Sequence, residues 1–141
     1  MKNYKKAILW GLFSAWLLTL LRITVFRDGC FSHGLCSGRV EWLPFVYLAK
    51  LIRVRYWRYF YYLFFGNILW FVPAGIFGRL FGKRFAVTLL FGFSLSAVIE
   101  LLQYLLGSGV TEVEDVILNT LGAALGYPLG ALFQRLGNHN R

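Results

Sequence analysis

A chain of 141 residues that is 58% hydrophobic, with mean hydropathy +0.60, carries more apolar surface than so short a soluble domain can hide. A bilayer removes the difficulty, because lipid is itself apolar. The net charge of +9 would suit nucleic acid, but the basic residues stand in short clusters between apolar runs, at Lys5-Lys6, Arg53-Val54-Arg55 and Lys83-Arg84. That pattern anchors helices at anionic lipid head groups and argues against a soluble basic module, so no nucleic-acid partner is expected.

The first apolar run, Ala7 to Phe26, is broken only by Arg22. About 20 residues at ~1.5 Å each cross a hydrocarbon core of roughly 30 Å, and Arg22 lies near enough to the far end to snorkel. No small-x-small cleavage site follows, so residues 1–26 read as a retained signal-anchor helix. Residues 27–58 read as a polar loop followed by an interfacial segment. That segment opens at Leu43-Pro44-Phe45 and mixes aromatics with Lys50, Arg53, Arg55 and Arg58.

The second span is expected over Tyr59–Phe77, with an aromatic belt at its start and a kink at Pro73. The third is expected over Phe85–Leu106 and the fourth from Val116 to about Phe133. A loop from Gly107 to Asp115 lies between them, and 133–141 reads as a short polar tail. The expected fold is an all-α polytopic membrane bundle of about four transmembrane helices plus one interfacial helix. Lys and Arg counts on the two sides are nearly equal, so the basic start of the chain decides for a cytoplasmic N-terminus.

Ionisable and amide side chains inside a bilayer are costly and have a partner or a task. Ser96, Glu100 and Gln103 follow at i, i+4 and i+7, on one helical face that should turn inward. Two readings stand side by side: an interhelical hydrogen-bond clamp, or a site for a cation or a polar lipid head group. Asn119 and Asn67 are placed to join the same cluster if the spans touch. Gly122, Gly126 and Gly130 form a small-xxx-small packing stripe. Glu112, Glu114 and Asp115 make an acidic motif at the membrane edge. Asp115 there suits a helix N-terminus, and the three together suit a divalent cation or a basic ligand. Cys30, His33 and Cys36 share the first loop. Their spacing is not that of a usual zinc site, and a Cys30–Cys36 disulfide or two free thiols are the readings kept. No metal, cofactor motif or nucleophile–base pair is expected.

In their order the motifs resemble the VanZ-like family of bacterial membrane proteins, over about residues 43–132. The resemblance rests on Leu43-Pro44-Phe45, on the stretch from Asn67 through Pro73 to Gly75, on Ser96-x3-Glu100-x2-Gln103, and on Val113 to Gly122 followed by Gly126-Tyr127. It departs from the family in the acidic motif, where Gly109 stands in place of the usual arginine and Glu112 and Glu114 in place of aspartates. The resemblance implies a plasma-membrane protein that lowers susceptibility to the lipoglycopeptide teicoplanin, without an established mechanism. Three functions follow. One is a non-enzymatic envelope protein binding membrane lipid, a lipid-linked peptidoglycan precursor or the drug itself. The second is a helper subunit docked on a membrane protein partner through the glycine stripe. The third is an enzyme acting on a lipid-linked substrate with Glu100 or Asp115 as base.

Overall fold

The computed structural model describes residues 3–26, 35–36 and 38–139. Five helices follow in order: α1 Asn3–Thr24, α2 Val46–Arg53, α3 Trp57–Leu80, α4 Phe85–Leu106 and α5 Val113–His139. All but α2 are long and apolar enough to cross a membrane. Two three-residue strands, β1 Arg39–Glu41 and β2 Val110–Glu112, pair in parallel.

The elements correct several expected boundaries. The interfacial segment divides, with α2 ending at Arg53, Arg55 taking φ 57°, and α3 starting at Trp57 rather than Tyr59. α3 runs through Pro73 to Leu80, three residues past Phe77. α5 takes in Glu114 and Asp115 at its start and most of the residues read as a tail. Hydropathy marks only the apolar part of a helix, whereas backbone hydrogen bonding continues into the polar residues beyond the hydrocarbon. The two loops are also not wholly irregular, since they meet as the β1–β2 ladder. Val40 lies opposite Thr111 and Glu41 opposite Glu112.

The glycine stripe packs inside the chain, against α3. A β-carbon at Gly122 would lie 2.2 Å from the Ile68 carbonyl oxygen, and one at Gly126 only 1.9 Å from that of Val72. At Gly130 it would lie 2.8 Å from that of Ile76. The pairs advance together by four residues, so α3 and α5 run parallel with their backbones in contact. Gly75 completes the seam from the other side, 2.1 Å from the Ala123 carbonyl oxygen by the same measure. Lipid supplies no hydrophobic drive between helices, so such close approach carries the association. α4, between them in the chain, returns antiparallel and packs on both.

The C-terminal end of α4 is also satisfied. Gly107, at φ 58°, turns the chain out of α4, and Ser108 N–H donates to the Gln103 carbonyl at 3.1 Å. The Cys36 and Gly38 N–H groups donate to the carbonyls of Leu105 and Tyr104, at 2.9 and 3.3 Å. α2 lays Leu48 and Leu51 against Ile68 and Leu118 and leaves Val46 and Ile52 exposed, as a helix lying on the bundle edge does.

Gly126→Ala is expected to lower stability in detergent by about 1–3 kcal/mol, the usual cost of overpacking. Gly11→Ala, whose new β-carbon meets nothing within 4 Å, is expected to be neutral or slightly stabilising. Equal denaturation midpoints for the two variants would contradict the seam.

Candidate functional site

Ser96, Glu100 and Gln103 are all buried, on the face of α4 turned to the bundle. Each is tied to a different element. Asn119 Nδ2 of α5 donates to Ser96 Oγ at 2.8 Å. Gln103 Nε2 donates to the Thr24 carbonyl oxygen at the end of α1, at 3.2 Å. Glu100 Oε2 accepts the Glu112 N–H at 2.9 Å, and the Glu100 carbonyl oxygen accepts from Thr111 Oγ1 at 2.9 Å. Glu100 therefore fastens β2 to α4 from both its side chain and its backbone.

The acidic motif is drawn into the same region by the parallel seam. Asp115 sits in the first turn of α5, and its Oδ1 accepts from Asn67 Nδ2 of α3. A negative charge in a first helical turn is favourable by the helix dipole. Glu114 faces the other way, and its Oε2 accepts the N–H of Phe45 at the start of α2. Phe45 holds φ 64°, an unusual angle for a bulky residue, and this bond helps fix it there.

Glu112 lies on β2 beside Glu41, its ladder partner. Burial, followed by the charges of Asp115, Glu114 and Glu41, pushes its carboxyl up from 4.5 to about 7. Glu41 is a member of this group that the sequence does not single out. Only the ladder between segments some seventy residues apart brings it in.

Between α1, α3, α4 and the start of α5 lies a cavity of about 320 Å³. Glu100, Gln103, Asn67, Asp115 and Asn119 line it, and so do Leu20, Tyr59, Tyr62, Trp70 and Phe71. Four of the five residues expected in the polar intramembrane cluster thus share one cavity with Asp115. Ser96 stands just behind it, holding Asn119. Glu112 and Glu114 stay outside the lining, and Gly122, Gly126 and Gly130 serve the α3 seam. Thr24 is a further contributor, through a backbone carbonyl that no sequence pattern reveals. Tyr127, at the opposite end, donates from its hydroxyl to the Lys83 carbonyl at 2.9 Å.

Among the described residues no group of three or more His, Cys, Asp or Glu side chains is arranged to hold a metal ion. Cys36 is exposed, whereas Cys30 and His33 lie outside the described residues, and with them the disulfide reading.

The family model of VanZ/LLP1 matches residues 8–134. No curated protein and no solved structure matches the chain.

The raised carboxyl of Glu112 sets the sign of a pH effect. The folded protein holds this proton more tightly than the unfolded chain, so stability is fullest below pH 4.5 and falls as pH rises to about 7. Glu112→Gln is expected to flatten that fall between pH 5 and 7.5 and to raise the midpoint at pH 8. An unchanged slope would place the pH dependence elsewhere.

Proposed function

The chain belongs to the VanZ/LLP1 family, and from that footing we propose a multi-pass cell-envelope protein that seats the polar head of an amphiphile without transforming it. The observation that carries this reading is the mixed lining of the cavity. Carboxyl and amide groups from α3, α4 and α5 line it together with Leu20, Trp70 and Phe71. A volume of about 320 Å³ takes a head group but not a whole lipid. The tail then stays in the bilayer, alongside Tyr62 and Trp70, which are exposed.

With the N-terminus in the cytoplasm of a bacterial plasma membrane, the cavity lies in the outer leaflet. Envelope lipids, lipid-linked peptidoglycan precursors and lipoglycopeptide tails all enter there. Lowered susceptibility to teicoplanin then follows from occupying or redistributing the lipid that the drug engages. Docking on a partner protein through the glycine stripe is the weaker reading, because α3 already fills that stripe.

Expression in a susceptible Gram-positive host tests the proposal. The wild-type protein is expected to raise the inhibitory concentration of teicoplanin above the empty-vector value. A Glu100→Gln, Asp115→Asn double variant at the same membrane level is expected to return it to that value. Full protection by the variant would remove the polar cluster from the function.

A further inference from the structure

The end of the bundle away from the polar cavity carries charge of one sign. Trp10 of α1 lies against Phe81 at a ring separation of 4.4 Å, and the Tyr127 hydroxyl of α5 reaches the Lys83 carbonyl. The start of α1, the turn from α3 to α4 and the later half of α5 therefore share this end. Lys5, Lys6, Arg79, Lys83, Arg84 and Arg135 lie on these segments. None of the chain's six Asp and Glu residues falls within 1–13, 77–92 or 127–141, so these segments hold no acidic side chain to neutralise the cations. A positive field of this kind draws anionic lipid head groups.

At the same end a groove of about 300 Å³ lies between α1, α3 and α4. Phe13, Phe77, Phe81, Val87 and Phe91 line it, and among the described residues Lys83 is the only charged one in the lining. Gly78 brings α3 close to α4, since an added β-carbon there would lie 2.4 Å from the Thr88 hydroxyl. α1 stands off on its rings instead, Phe13 meeting Phe77 at 5.5 Å and Phe91 at 6.1 Å. The difference between the two contacts leaves the groove. Trp10, Val87 and Phe91 are exposed, so it opens towards the bilayer.

Size and charge choose what fills it. One turn of helix, about 5.4 Å long and 10–12 Å across, is too large for this volume. A second copy in the same orientation would set its cations against these, like beside like. An acyl chain is narrow enough. Lys83 follows the last turn of α3, which ends at Leu80, so its ammonium can extend to the level of the head groups.

We propose that this groove holds one acyl chain of an anionic phospholipid, with Lys83 pairing with the lipid phosphate and the charges of Lys6 and Arg84 adding to the attraction. The site is separate from the polar cavity and stands whether or not that cavity seats a head group.

The test is lipid binding to the full chain in a neutral detergent, followed by native mass spectrometry over a lipid titration. Phosphatidylglycerol is expected to bind saturably, about fivefold more tightly than phosphatidylcholine with the same chains. Lys83→Gln is expected to weaken the phosphatidylglycerol complex about fivefold. Arg135→Gln, a cation at the same end that does not line the groove, is expected to weaken it less. Val87→Trp, which fills the groove from an exposed position, is expected to abolish saturable binding. The comparison of lipids uses wild type alone, so it holds even if a variant folds poorly. Equal affinity for the two lipids overturns the anionic selection. Equal losses with Lys83→Gln and Arg135→Gln, together with full binding by Val87→Trp, replace the site with a diffuse lipid annulus and overturn it. Glycerol phosphate binding as tightly as the lipid replaces the lipid with a free phosphate. A dimer of the chain that Val87→Trp dissolves gives the groove to a second copy instead. No saturable binding of any lipid overturns the proposal outright.

Discussion

Gly122 and Gly126 let α5 lie so close to α3 that the carbonyl oxygens of Ile68 and Val72 occupy the space a β-carbon needs. The position of the polar groups depends on that contact. Because the two helices run parallel and in register along the seam, the first turn of α5 arrives beside the middle of α3. Asp115 then meets Asn67, and the next inward turn brings Asn119 to Ser96 on α4. A shift of one residue along the seam would drive a larger side chain into the α3 backbone and part these pairs. The packing stripe and the polar cluster are two consequences of one register.

The polar groups also act as clamps at four contacts of the bundle. Asn67–Asp115 ties α3 to α5, Asn119–Ser96 ties α5 to α4, Gln103–Thr24 ties α4 to α1, and Glu100 ties α4 to β2. Hydrogen bonds between membrane helices average only about 0.6 kcal/mol. An ionisable side chain at the centre of a membrane helix costs about 2.5–3.5 kcal/mol on insertion scales. An apolar interface would hold the same helices with less cost, which is an argument in favour of the head-group site we propose.

Much of the bundle is legible in the sequence, because its rules are local. Twenty-residue apolar runs separate at Lys83-Arg84 and at the acidic loop, and the spacing of Ser96, Glu100 and Gln103 puts them on one face. The partner of the glycine stripe is not local. α4 is nearest to α5 in the chain, yet the seam forms with α3, where Gly75 and the carbonyls of Ile68 and Val72 accept so near a backbone. The β ladder was equally hidden. Three-residue strands carry no periodicity, and their pairing depends on the Cys36 and Gly38 N–H groups finding the end of α4. With the ladder went Glu41. Gly109 leaves no guanidinium in the acidic motif itself, and Glu114 and Asp115 are held by the Phe45 N–H and the Asn67 amide.

Mass spectrometry of the protein released directly from its own membranes tests the central claim, that the polar cluster holds the head of an amphiphile. The wild-type protein is expected to emerge with an adduct whose fragments include a lipid tail and a polar head. The Glu100→Gln protein, released at equal abundance, is expected to emerge without it. The same adducts on both proteins, or none on either, would contradict the claim and leave the cluster as interhelical clamps alone.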